Sequence, residues 1–421
     1  MLCSVFFSTI PGVSMKRVLK WLGLVLAVGI LAVAGFVAFL WLAPYPSFDP
    51  IVPSVTVAST PERVAHGRRL ALSLCVACHE NPETKTTSGK LMADMPPEFG
   101  TVYSKNITQH PTKGIGGWSD GEILGLLRTG IHPRTGQFVP PWMPRFNRMA
   151  DEDLESIIAW LRSDDPIVAA TDQTNIESTP TLLSKFLMRV VMSPTELPTQ
   201  RINVPPASNI VEFGRYVAND RYSCYGCHSA DFKDQDDVHP ENSAGFYGGG
   251  MTMPDLVGRP VYVPNLTAHA KNGLGAWSES EFVAAMSTGI NRNGTPFRYP
   301  MVRHNMLTTD ELAGVFAYLR SIPILEGTPA TTPAYAEASE PGPKGLYYNY
   351  GCAGCHGASG LGVASLLKAN AKYPEDSVLA DMIRNVSRYN PEAWMPEYHS
   401  VIPESDAMQL AGYVRKLCTS K

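Results

Sequence analysis

Six of the eight cysteines fall into three copies of one pattern, Cys75-Val-Ala-Cys78-His79, Cys224-Tyr-Gly-Cys227-His228 and Cys352-Ala-Gly-Cys355-His356. Two thiols three residues apart on a helical turn can each add to one vinyl group of a single haem, and the imidazole that follows can reach the iron. The spacing predicts three covalently bound haem c groups, tethered through Cys75, Cys78, Cys224, Cys227, Cys352 and Cys355 and ligated by His79, His228 and His356. A zinc site would pair one Cys-x-x-Cys with another pair or with two more ligands nearby. Here the pairs lie 149 and 128 residues apart, and each carries its own histidine. A thioredoxin-like dithiol needs a βαβ setting that the sequence lacks, and disulfides give the adjacent histidines no reason. Cys3 and Cys418 are left without a role.

An internal repeat points to the second axial ligand. Asn106-Ile-Thr108, Gly114-Ile-Gly116-Gly-Trp118-Ser119 and Thr129-Gly130-Ile131 recur as Asn265-Leu-Thr267, Gly273-Leu-Gly275-Ala-Trp277-Ser278 and Thr288-Gly289-Ile290, all offset by 159 residues. Ala159-Trp160-Leu161-Arg162-Ser163 recurs as Ala317-Tyr318-Leu319-Arg320-Ser321, offset by 158. Such self-similarity marks a duplicated domain. A methionine thioether favours ferrous iron and suits an electron carrier. Met143 and Met301 share the repeat, each 17 residues before the aromatic residue of the closing segment, and Met395 precedes Tyr413 by 18. Prolines beside each stiffen the backbone, so Met143, Met301 and Met395 are the expected sixth ligands. The plainer reading of a loop methionine is core filling. Met149, Met251, Met253, Met306 and Met408 break the register or lie in helix-like sequence.

His66, His110, His132, His239, His269, His304 and His399 read as surface or hydrogen-bonding residues, any of which would replace a methionine if that register is wrong. Trp118 and Trp277 read as packing residues rather than electron relays. Asn106 and Asn265 are expected to bond backbone or a haem propionate.

The elements that hold these residues are short helices and long loops, as 35 Gly and 35 Pro against 44% hydrophobic residues imply. Helix-like runs lead into each motif at residues 62–74, 210–219 and 342–350, and amphipathic runs close each unit. The closing runs begin with acidic residues, Asp151-Glu-Asp, Thr309-Asp-Glu and Glu404-Ser-Asp, as the helix dipole prefers. Residues 166–205 read as a linker whose stretch 182–192 packs on a neighbour or on a membrane surface, and residues 322–343 read as a spacer. Residues 18–42 are apolar apart from Lys20 and long enough to cross a bilayer. Lys16, Arg17 and Lys20 keep the N-terminus cytoplasmic by the positive-inside rule and export the rest. On that topology Cys3 and Cys418 lie on opposite sides of the membrane. A cleaved signal peptide is the alternative, but the run is long for one and no small-x-small site follows. Met15-Lys16-Arg17 reads as a start of its own, with residues 1–14 an upstream extension. The net charge of −4 gives no basic footprint for nucleic acid.

On these motifs, residues 60–420 resemble the three-haem cytochrome subunits of membrane-bound quinoprotein alcohol dehydrogenases and flavin-dependent gluconate and sorbitol dehydrogenases. The resemblance implies an all-α chain of three cytochrome c-like haem domains in tandem behind one transmembrane helix. The expected layout is tail and anchor at 1–50, domain 1 at 51–165, linker at 166–205, domain 2 at 206–325, and linker with domain 3 at 326–421. The anchor and the insert at 231–258, with Phe246-Tyr-Gly-Gly-Gly250, depart from that family. The resulting expectation is a non-catalytic electron-transfer subunit in a bacterial inner membrane, its haem domains periplasmic. It would pass electrons between a dehydrogenase or quinol-linked complex and a terminal acceptor such as an oxidase. The competing class is a peroxidase-like multihaem enzyme with one open iron.

Overall fold

The computed structural model describes residues 15–327 and 341–419, so Cys3, the stretch 1–14 and most of the spacer at 322–343 lie outside the described residues. The chain begins with a helix, Met15–Leu42, whose 28 residues reach about 42 Å at 1.5 Å per residue. It is long and apolar enough to cross a membrane, and Leu40 is its only buried residue.

Beyond it lie three hydrophobic clusters, centred on Leu70, Ile157 and Trp160, on Tyr216, Val315 and Leu319, and on Tyr347, Leu410 and Val414. Each is built between the helix that enters a cysteine motif and the helix that closes the unit. The entering helices are Pro61–Leu74, Ile210–Arg215 with a π-helical continuation Tyr216–Arg221, and Pro343–Asn349. The closing helices are Asp151–Leu161, Thr309–Ser321 and Glu404–Thr419. In the first two units the helices cross at bare glycine: a Cβ on Gly67 would fall inside the Ser156 carbonyl, and one on Gly214 inside the Gly314 carbonyl. Strand structure is limited to two antiparallel ladders among the described residues, Gly100–Thr101 with Thr179–Pro180 and Thr252–Pro254 with Pro260–Tyr262. These pairs are the departure from an all-α reading. Their physical origin is that a linker and an insert each lie extended beside the chain and share backbone bonds with it.

The units are joined through buried charge. Asp153 of the first accepts hydrogen bonds from His66 Nε2 (2.7 Å), from Arg221 Nε (2.7 Å) and from the Tyr216 hydroxyl. Glu311 of the second accepts from both terminal nitrogens of Arg69, at 2.6 and 3.0 Å, and from Arg221. Burial acts to raise both carboxyls, yet the hydrogen bonds and the adjacent cations bring each below its ordinary range. The first and third units meet through Arg68 and Glu392, with one bond of 3.1 Å, and Lys90 reaches the Val363 carbonyl at 3.4 Å.

Candidate haem sites

Each cysteine–histidine motif sits on a single helical turn, Val76–His79, Tyr225–His228 and Cys352–His356. The three imidazoles are held alike. His79 Nδ1 donates to the Lys105 carbonyl at 2.7 Å, His228 Nδ1 to the Pro264 carbonyl at 3.2 Å, and His356 Nδ1 to the Ala364 carbonyl at 2.6 Å. A carbonyl can only accept, so the proton is fixed on Nδ1 and the lone pair on Nε2, the tautomer and aim that a metal-ligating histidine needs. Burial lowers the pKa of all three, that of His228 to about 4, which keeps the ring neutral. The thiols stand where thioether sulfurs would be. Burial pushes Cys75, Cys224 and Cys352 up to about 12. Among the described residues no three His, Cys, Asp or Glu side chains gather into a metal-binding group. The donor set therefore fits a haem held by two thioethers and one imidazole.

The repeat motifs explain how the anchoring carbonyls are placed. Asn106 Oδ1 accepts from Thr108 N (2.9 Å) and Oγ1 (2.6 Å), and Asn265 Oδ1 accepts from Thr267 N and Oγ1, both at 2.8 Å. These Asx turns lock the residue after the histidine's acceptor. The Asn amides reach outward to the Thr171, Gln173 and Leu325 carbonyls, tying down the segments after the closing helices. Both asparagines thus bond backbone, one of the two roles expected for them. Arg162 and Arg320 bind the carbonyls of the Gly-x-Gly turn, at Ile115 and Gly116 and at Leu274 and Gly275. Trp118 and Trp277 pack on their unit's cluster beneath Arg134 and Arg292, whose guanidinium carbons lie 5.8 and 5.6 Å from the rings.

The three methionines lie in loops between these elements. Met143 packs against the first cluster and Met395 against the third, whereas Met301 is half-buried and belongs to neither the second cluster nor its rim. Of the rivals, Met149 is wholly buried in the first cluster and Met306 packs on that cluster from the second unit. His304 is half-buried near His228, with desolvation first and His228 second lowering its pKa to about 4. Its ring lies 6.3 Å from that of Tyr222. Cys418 Sγ donates to the Leu366 carbonyl at 2.9 Å.

Sequence reasoning passed over two arginines, although both stand two residues after a candidate methionine. Arg145 closes its own loop on the Pro140 (3.1 Å), Met143 (2.9 Å) and Val139 carbonyls. Arg303 instead crosses to the third unit, binding the Ala393 carbonyl (2.6 Å), Ser387 Oγ (3.0 Å) and Glu397 Oε1 (2.9 Å). Glu397 occupies the same position relative to Met395, so the loops that carry Met301 and Met395 are stapled together. Gly130 and Gly289, at φ +73° and +74°, cap the preceding helices in the left-handed region and leave room for these arginines. The insert at 231–258 also has a place. Leu256 N donates to the Gly354 carbonyl at 3.2 Å, and Asp255 lies against Gly354, so it packs on the third motif.

Residues 64–164 match the family model for cytochrome c, and residues 341–414 match that for subunit III of cbb3-type cytochrome c oxidase. The chain therefore contains two cytochrome c domains, a class defined by covalently bound haem c. Over most of its length it is similar to cytochrome subunits of dehydrogenases. It is 27% identical over 397 residues to the cytochrome c subunit of the quinone alcohol dehydrogenase of Gluconacetobacter polyoxogenes, covering 87% of this chain and 80% of that protein. It is 24% identical over 351 residues to the fructose dehydrogenase cytochrome subunit of Gluconobacter japonicus, covering 75% and 68%. It is 26% identical over 317 residues to the gluconate 2-dehydrogenase cytochrome c subunit of Pantoea cypripedii, covering 71% and 70%.

Proposed function

We propose that this chain is a membrane-anchored cytochrome with three haem c groups, one in each of the units at 51–165, 206–325 and 326–421. It would relay single electrons from a periplasmic dehydrogenase or quinol-linked complex to a terminal acceptor. The observation that carries the reading is the recurrence, in all three motifs, of an imidazole whose Nδ1 is held by a backbone carbonyl and whose Nε2 is left to bind. Bound haem supplies the one-electron chemistry, and the protein supplies position and surroundings. His79, His228 and His356 would hold the irons from one side and Met143, Met301 and Met395 from the other. The shared register of the methionines, the stiff loops and the cytochrome subunits among the relatives support this assignment. The helix Met15–Leu42 would cross the inner membrane once with the remainder periplasmic, supported by its length, its apolar composition and the Lys16, Arg17 and Lys20 flank.

The mature polypeptide is expected to gain the mass of three haems and to stain for haem after denaturation. The oxidised protein is expected to give three low-spin centres, and a persistent high-spin centre would favour the peroxidase-like class instead. Replacing Met143, Met301 and Met395 by alanine one at a time is expected to abolish one thioether-ligated signal each. If Met301→Ala removes no thioether-ligated signal while His304→Ala converts one low-spin centre to high spin, the second unit is ligated by His304.

A further inference from the structure

The linker segment at residues 182–191 presents three different faces, and each has a different surrounding. It is a helix, Leu182–Phe186, that continues as a π-helical turn, Leu187–Val191. Ser184 and Met188, four residues apart, are buried against the first unit, and Ser184 Oγ donates to the Phe99 carbonyl at 2.7 Å. Lys185 and Arg189, also four apart, point at the end of the helix Met15–Leu42. Lys185 Nζ donates to the Trp41 carbonyl and, at 3.1 Å, to that of Ala43; Arg189 donates to the Pro44 carbonyl at 2.6 Å. The Arg189 guanidinium also lies 5.0 Å from the Phe39 ring. The Trp41 carbonyl is among those the helix end leaves unpaired, those of Ala43 and Pro44 follow directly after it, and two cations there also suit the negative end of the helix dipole. The third face carries Leu183, Val190 and Val191, spaced i, i+7 and i+8, which are 44%, 54% and 62% exposed. A polar surface would not be expected to gather three such residues on one stripe beside two cations.

The chain that leaves the long helix fixes the height of this stripe. Phe138 N donates to the Pro46 carbonyl and Phe48 N to that of Gly136, each at 2.9 Å, so the first unit is tied close to the helix exit. A bilayer crossed by Met15–Leu42 has its hydrocarbon core, about 30 Å thick, ending near Trp41. The cations bound to the Trp41, Ala43 and Pro44 carbonyls then lie at headgroup depth, with the apolar stripe beside them.

We propose that residues 182–191 are a second membrane contact, an interfacial segment that seats Leu183, Val190 and Val191 in the headgroup–acyl boundary of the leaflet where the anchor emerges. The inference rests on the anchor reading. Its consequence is that the first unit is held in one orientation to the lipid surface instead of swinging on a tether. The segment would thereby set which face of the protein meets a membrane-embedded partner.

The test uses the full chain in nanodiscs of phosphatidylethanolamine and phosphatidylglycerol doped with a phospholipid carrying a diazirine on its acyl chain. After irradiation and trypsin digestion, adducts are located by mass spectrometry. The peptide that begins at Val190 is expected to be labelled on the order of tenfold above the peptide containing Val238, an exposed apolar residue of the insert, as interfacial burial of an apolar stripe requires. Replacing Leu183, Val190 and Val191 together by glutamine is expected to remove that difference while adducts in the anchor remain. Strong labelling of the anchor with the Val190 peptide at the level of the Val238 peptide would overturn the interfacial seat alone. Absence of adducts in both would overturn the seat and the anchor reading together.

Discussion

The first two units and the third solve one problem with different constructions. In the first two, the carbonyl that holds the histidine comes from far along the chain, from Lys105 for His79 and from Pro264 for His228, and an Asx turn at the next residue fixes it. In the third, Ala364 lies only eight residues after His356, no Asn-x-Thr follows it, and the ring is less buried. The methionine loops divide differently. Arg145 makes the first loop self-contained, whereas Arg303 leaves the second loop to hold the third. The third unit thus has a local anchor for its histidine and a borrowed one for its methionine loop. The chemical requirement is constant, and what varies is how far through the molecule a disturbance would travel.

The sharpest way to break this contrast is Arg303→Met. Arg303 is fully buried, with its side chain 1% exposed, and its loss leaves Glu397 Oε1 with only the Ser387 amide and takes a donor from the Ala393 and Pro391 carbonyls and from Ser387 Oγ. Removing one partner of a buried pair costs about 3 to 5 kcal/mol. Hydrogen exchange of residues 385–398 is expected to accelerate strongly, with the methionine-ligated signals of both the second and third units disturbed. Adding Glu397→Gln is expected to recover a large part of the loss. Arg145→Met is expected to disturb the first unit only. Equal effects of the two arginine variants on the third unit would show that the staple does not distinguish them.

Asn265→Leu comes next. It removes the buried acceptor of Thr267 N and the donor to the half-buried Leu325 carbonyl, at a cost of about 2 to 4 kcal/mol. The expected outcome is a loosened Pro264 carbonyl, the acceptor of His228 Nδ1, and a changed spectrum for the second unit, while His356, anchored without such an Asn, keeps its signal. Asn106→Leu should act in the same way on the first unit.

Much of this arrangement was legible in the chain because its signals are local. The cysteine motifs, the glycine-capped Thr-Gly-Ile turns and the acidic starts of the closing helices each report their own surroundings, and the 159-residue offset aligned two units without outside help. What escaped depends on contacts between units. Arg303 and Arg145 occupy the same repeat position, yet their partners differ because the third unit carries glutamate where the others carry arginine. The insert at 231–258 looked individual in sequence because its partner, the turn at Gly354, lies about a hundred residues further along. The expectation of an all-helical chain missed the two short ladders for a related reason. Their strands are two or three residues long, too short for a period-two pattern to register.

Acid separates the joint between the first two units from the local anchors. Asp153 and Glu311 have pKa values lowered in the folded protein, so their contribution is fully present above the unfolded values of about 4 to 4.5 and is lost as pH falls through the folded ones. Protection of the Tyr216–Arg221 turn is expected to fall in acid before that of the closing helix of the third unit. Glu311→Gln is expected to weaken the joint at neutral pH and to flatten its acid dependence.

The smallest effect concerns how the middle helix of each unit begins. Ser119 and Ser278 form capping boxes with Glu122 and Glu281 in the first two units. The corresponding helix of the third, Asp376–Arg384, has Glu375 at its cap with no side-chain bond to the backbone, although its φ of −102° and ψ of 140° are those a capping residue adopts. A serine hydroxyl there would reach the Val378 amide without moving the chain. Glu375→Ser is therefore expected to stabilise the helix by about 0.5 to 1 kcal/mol, while Ser278→Ala destabilises its counterpart by about 1 kcal/mol. Hydrogen exchange of the amides at 377–379 in the full chain measures the gain. No slowing there would mean that the missing cap is satisfied by solvent, and that the third unit differs from the others only in its anchors.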